Sequence, residues 1–280
     1  MAIAKDYSDD LEFSRLIRRE DGIDLQRLAL EMARDEYPEL DLERLLSWFD
    51  QVAAEIKPKL RVTFSVIESL LVMIEHLAGE RGFYGTSAAF RDPRCSYLNR
   101  VIETGRGLPI TLSLVYMGVA ERLGLELKGV ALPLHFVCRM ETSRGPLFID
   151  AFTNGNILTE KQCIEWLKRT CDLSEDVIQR SLGPAEPRTI VLRMLNNLKV
   201  MYAQQEAWKS LWNVQNRLCA LQTGNWQERR DLGMVSVQAN RPGLAVELLT
   251  DCLKSCQSET DQHAMEHALQ RAQSLLTTMN

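Results

Sequence analysis

No long hydrophobic run is present. The longest apolar stretch, Leu108 to Ala120, contains Thr111 and Ser113 and falls short of the about 20 residues that cross a bilayer. The amino terminus, MAIAKDYSDDLEF, lacks the basic start and apolar run of a signal peptide. Positive charge is also short: 33 Lys and Arg against 38 Asp and Glu leave a net charge of −5, and the basic clusters at 15–20 and 227–231 are mixed with acids. That excludes the electrostatic footprint of a nucleic-acid binder. There is no CxxC, and seven cysteines at irregular spacings, an odd number, exclude a fully paired disulfide framework and fit a reducing compartment. A cytoplasmic protein is expected, with neither membrane nor nucleic acid as partner. Cys256, His263 and His267 are read as a solvated helix face, so no metal site and no cofactor are expected.

What is present suits buried cores. A chain of 280 residues, 45% hydrophobic and 25% charged, is long enough for two domains. Ile23, Leu25, Leu28, Leu30 and Met32 form an apolar stripe that stops at Pro38. Asp41 is placed to cap a helix carrying Leu42, Leu45, Leu46, Phe49, Val52 and Ile56, and a third helix is expected from about Thr63 to His76. The turn-rich stretch GERGFYGTSAAFRDPRCS reads as loop. Pro109 then opens an apolar helix that stops near Gly124. Three strand-like runs follow, 125–132, 134–141 and 145–152, and predict an antiparallel meander against that helix, an α+β core. RSLGPAEPRT, at 180–189, marks a boundary. Beyond it Leu198, Met201, Gln204 and Val214 recur 34 residues later as Leu232, Val235, Gln238 and Leu248, the period of tetratricopeptide helix pairs. Two degenerate repeats and a final helix at 261–278 are expected.

Four histidines make the search for chemistry short. His135 sits in LPLHFVCRM on a predicted strand, and Asp150, 15 residues on, ends the next. Adjacent antiparallel strands bring such a pair side by side. A carboxylate beside an imidazole fixes its tautomer and favours its charged form, which makes two parts of a nucleophile–base–acid triad. A buried histidine satisfied by a structural carboxylate has the same signature.

The stretch CSYLNRVIETGRGLPITLSLVYMGVAERLGL, with GVALPLHFVCR, FIDAF and LRMLNNLKVMY, resembles a bacterial family of the Sir-B type, in which a transglutaminase-like domain precedes a tetratricopeptide tail. The resemblance implies a papain-like transglutaminase core with the nucleophilic cysteine at the start of the long helix, and it puts Pro109 at that position. Proline supplies neither a thiol nor a backbone N–H, and one lost oxyanion donor costs about 2.7–4 kcal/mol of transition-state stabilisation. Thr111 is a weak substitute; Cys138 alternates to the opposite strand face from His135, and Cys95 lies in a loop. Ala151 and Thr153 depart from the family pattern, which weakens any inherited role for Asn154. Arg106 and Gly107, ahead of the helix, and Phe136, beside His135, are the expected binding residues. The expected domains are 1–180, with its core at about 82–160, and 188–280. The expected function is non-catalytic binding of a protein or peptide through the cleft and the repeat tail. The alternative is an acyl-transfer or amide-hydrolysing enzyme that uses His135 and Asp150 with Thr111 or a cysteine.

Overall fold

The computed structural model describes residues 6–279. Among them are thirteen α-helices and a four-stranded antiparallel sheet. Helix α1 spans Leu11–Ile17, α2 Leu25–Ala33, α3 Leu42–Ile56, α4 Val66–Ile74, α5 Leu98–Thr104 and α6 Pro109–Arg122. The strands follow: β1 Lys128–Val130, β2 Val137–Met140, β3 Leu147–Asp150 and β4 Asn156–Thr159. The remaining helices are α7 Glu160–Thr170, α8 Glu175–Ser181, α9 Pro187–Gln204, α10 Trp208–Leu221, α11 Trp226–Gln238, α12 Pro242–Leu253 and α13 Glu259–Met279.

One compact unit covers Gly22–Met194. Helices α2, α3 and α4 start where side chains accept from otherwise unpaired N–H groups. Asp24 accepts from the Arg27 N–H, Asp41 from that of Arg44, and Ser65 with Glu68 forms a reciprocal capping box, so α4 begins at Val66 rather than near Thr63. Helix α6 is buried nearly all round, because α2 and α3 pack on one side of it and the sheet on the other. The strand order is β1-β2-β3-β4, with Cys138 opposite Ile149 and Phe148 opposite Leu158.

Strand alternation then divides the sheet's side chains between two layers. Cys138 points to α6, its Sγ 3.6 Å from the Ser113 carbonyl. Val137 and Phe148 point the other way, into an apolar cluster with Cys163 and Leu167 of α7, Ile178 of α8 and Leu182 just after it. The sheet therefore has helices on both faces, not only the single helix expected, and it has a fourth strand.

The second unit comprises the described residues up to Asp21 together with those from Leu195 onward. Helices α10 to α13 pack consecutively as a tetratricopeptide-like array. Of the positions picked out by the 34-residue period, Leu198, Met201, Val214, Leu232 and Leu248 are buried, Val235 is half-buried, and Gln204 and Gln238 are exposed. Gly233 is required by close approach: a Cβ there would meet the Leu249 side chain at 2.8 Å.

The amino-terminal segment belongs to this unit, whereas the sequence pattern had placed it in the lead-in of a first domain at 1–180. Arg217 on α10 explains why. Its side chain is fully buried, its Nη2 donates to Asp10 Oδ2 at 2.7 Å, and its guanidinium lies 4.7 Å and 4.6 Å from the Tyr7 and Phe13 ring centroids. A buried guanidinium needs a carboxylate and flat partners, and residues 7–13 supply both.

Truncating one member of a buried ion pair costs about 3–5 kcal/mol. Arg217→Ala is expected to lower stability by that amount in chemical denaturation, and Arg217→Met combined with Asp10→Leu to recover most of the loss. A cost for Arg217→Ala of less than about 1 kcal/mol would show that the pair does not hold the segment.

Candidate functional site

Asp150 ends β3 and turns the chain. Its Oδ1 accepts the N–H groups of Phe152 at 3.0 Å and Thr153 at 3.3 Å, opening a short 3-10 turn over Ala151–Thr153. The chain returns through Asn154 and Gly155, both with left-handed backbone. Gly155 has no room for a side chain, since a Cβ would meet Ile74 at 2.5 Å. The other carboxylate oxygen, Oδ2, lies 2.9 Å from His135 Nε2. The ring N–H is not aligned on it as a hydrogen bond, so the contact is that of an ion pair when the ring is protonated. Burial pushes the Asp150 carboxyl up. The His135 ring and the Phe152 and Thr153 bonds outweigh this and hold it below the ordinary carboxylate range.

His135 is not on a strand. It precedes β2, at the end of a turn in which its N–H donates to the Leu132 carbonyl at 3.2 Å. Pro133 fixes the second position of that turn and Leu134 takes the third with φ +61°, the type II form that ordinarily carries glycine there. Left-handed backbone costs an L-residue about 1–2 kcal/mol. Leu134 is 77% exposed, so its own burial offsets little of that. Arg193 on α9 clamps the turn from behind, donating to the Leu132 carbonyl at 2.6 Å.

The pair opens on a cavity of about 440 Å³. Leu132, Val137 and Leu158 form its apolar wall, and Trp166, Cys163 and Arg169 on α7 close it. Trp166 lies 5.4 Å from the His135 ring, and Phe152 meets that ring edge-on at 6.1 Å. No residue of α6 lines the cavity. The long helix was expected to present the residue opposite His135, but α7 forms this wall.

The other predicted residues have structural positions. Pro109 is buried in the first turn of α6. The Thr111 hydroxyl accepts from the Leu108 N–H at 2.9 Å and donates to the Cys95 carbonyl at 2.7 Å, which staples the helix start to the preceding loop. Arg106 lies 3.6 Å over the Tyr84 ring and donates to the Gly82 carbonyl at 2.6 Å. Gly107 is packed so that a Cβ would strike Thr111 Oγ1 at 2.8 Å. Phe136 is 1% exposed, its ring against Gly129. Arg106, Gly107 and Phe136 thus hold the fold and do not line the cavity.

Cys163 and Trp166 were not picked out in the sequence, although Thr159-x-x-Gln162 is the capping-box signal that opens their helix. Burial, with the Asp150 and Glu160 carboxylates nearby, pushes the Cys163 thiol up to about 11. Cys138, on the other sheet face, is pushed up to about 12. Among the described residues no group of three or more His, Cys, Asp or Glu side chains is arranged to hold a metal ion.

The transglutaminase-like superfamily matches residues 43–196, more than half of the chain. The chain belongs to the transglutaminase-like superfamily. The tetratricopeptide repeat family matches residues 198–270. A UPF0162 protein of Xylella fastidiosa is 31% identical over 226 residues, covering 78% of this chain and 79% of the relative. Protein SirB1 of Salmonella typhimurium is 25% identical over 233 residues, 82% of this chain and 84% of the relative. UPF0162 protein YchA of Escherichia coli is 24% identical over the same shares of the two chains. These relatives support the Sir-B type resemblance. No solved structure matches.

The lowered Asp150 carboxyl has a pH signature. A carboxyl whose folded pKa lies below its unfolded value, about 3.9, contributes stability that is fully present above that value and is lost as pH falls through the folded one. The wild-type melting midpoint is therefore expected to fall more steeply than that of Asp150→Asn on acidification below about pH 4. Parallel profiles would show that His135 and the turn do not favour the ionised form.

Proposed function

We propose that this protein is a non-catalytic transglutaminase-like binding module, with the His135–Asp150 cleft and the repeat tail presenting surfaces to a protein or peptide. One observation carries the reading: His135 and Asp150 stand 2.9 Å apart, but among the described residues that line their cavity none is an activated nucleophile. Pro109 has neither thiol nor N–H, and the Thr111 hydroxyl is committed to the Cys95 carbonyl. The thiol that does share the cavity, Cys163, is pushed up to about 11 by burial and the nearby carboxylates, which keeps it protonated at neutral pH. Catalytic cysteines need the opposite shift. The repeat array adds a surface of a kind commonly used for protein association. Seven cysteines without a disulfide support a reducing compartment, and no helix among the described residues is long and apolar enough to cross a membrane. Cytoplasmic placement fits both.

The position of Cys163 in the cavity lining, apart from its pKa, supports a second reading, acyl transfer or amide hydrolysis through that thiol with His135 as base. Assays of amide turnover on glutamine-containing and generic peptide substrates separate the two. The binding reading expects no turnover above background, and identical traces for wild type, His135→Ala and Cys163→Ala. Turnover that both substitutions abolish would establish the enzyme.

A further inference from the structure

Helix α4 is apolar over more of its surface than its core contact uses. Leu70, Met73 and Ile74 are buried. Ile67 and Leu71, four residues apart and so one above the other on the helix, face outward at 38% and 50% exposure. Val66 is 56% exposed in the first turn, and Val62 is wholly exposed in the turn ahead of it, where the Phe64 N–H donates to the Arg61 carbonyl at 2.9 Å. A helix that buries one stripe ordinarily carries polar side chains on the other. Exposed apolar side chains gathered on one face mark a surface that meets another protein. Two charges bracket this face. Arg61 stands ahead of the helix and Glu75 directly after it. Their neighbours are engaged: Glu68 is held in the capping box with Ser65, Lys59 pairs with Glu80, and Arg81 pairs with Glu55. Among the described residues neither Arg61 nor Glu75 has an ion-pair partner, and the Arg61 guanidinium rests 5.7 Å from the Phe64 ring.

We propose that this face of α4 pairs with the same face of a second copy of the chain, the two helices running antiparallel about a two-fold axis beside Ser69. A two-fold contact is self-complementary: if one position meets another, the second meets the first in return. With the axis midway between Ile67 and Leu71, Ile67 of each copy meets Leu71 of the other, and the Arg61 end of each copy lies beside the Glu75 end of the other. The face therefore holds its own complement. Apolar side chains cover apolar side chains, and the unpaired cation and unpaired carboxylate satisfy each other twice. A parallel pairing would set Arg61 against Arg61 and Glu75 against Glu75. The four exposed side chains offer less than the about 800 Å² that a stable interface takes from each partner, so the dimer is weak, with a Kd on the order of 10–100 µM. The inference is independent of the His135–Asp150 cleft and stands or falls without it.

Sedimentation equilibrium of the full chain from about 1 to 300 µM tests this, and a reversible monomer–dimer equilibrium is expected. Leu71→Gln keeps the helix propensity and removes the apolar contact, so it should weaken association by about tenfold while leaving the far-ultraviolet circular dichroism spectrum unchanged. Two charge reversals test the register. Arg61→Glu and Glu75→Arg each set two pairs of like charges opposite one another, and each alone should dimerise about fivefold more weakly than wild type. Mixed one to one, the two variants restore opposite charges at both ends and should associate about as tightly as wild type. Added salt should weaken association of the mixture and of wild type, and strengthen that of each variant alone. A monomer at every concentration would overturn the proposal, as would a dimer that Leu71→Gln leaves intact. A mixture that associates no more tightly than either variant alone would overturn the antiparallel pairing.

Discussion

One buried carboxylate organises the site. Asp150 accepts two backbone N–H groups on one oxygen and stands 2.9 Å from the His135 ring on the other, contacts that hold its carboxyl below the ordinary range and favour the ionised form. Ionised, it closes β3 into the 3-10 turn, aims the return through Gly155 against Ile74, and places β4 where Asn156 and Leu158 reach the cavity. The same charge bears on Cys163, whose thiol it helps to keep protonated. The carboxylate that stands beside the His135 ring thus also discourages ionisation of the thiol that shares its cavity.

The second constraint is the layer behind the sheet. A helix on one face of an antiparallel meander leaves the other face to be covered by something else. Here α7 and α8 cover it, and α7 makes the cavity wall facing His135. The start of α6 is stapled by Thr111 to the Cys95 carbonyl, and no residue of that helix lines the cavity.

Much of this was legible in the sequence. The 15-residue separation of His135 and Asp150, with a turn between, does bring the two side chains together, and the 34-residue period does mark buried positions of the repeat array. The rest was hidden for physical reasons. Cys163 and Trp166 lie on a short helix whose signal, a capping box and an interrupted stripe, is local and says nothing of which sheet face it covers. Arg217 reads as a surface charge on a repeat helix until Asp10, more than two hundred residues away, is folded onto it. Leu134 looks like one more apolar residue in a strand. Only the backbone shows that it occupies the glycine position of a turn.

The central claim is that the His135–Asp150 cavity lacks an activated nucleophile, and covalent trapping tests it most directly. The full-length protein would be incubated at neutral pH with a chloroacetamide-bearing peptide and every adduct mapped by mass spectrometry, in wild type and in His135→Ala. The account predicts that Cys163 and Thr111 remain unmodified on the timescale of a free thiol's reaction, with the same adduct pattern in both proteins. A rapid adduct on Cys163 or Thr111 that disappears with His135 would contradict it.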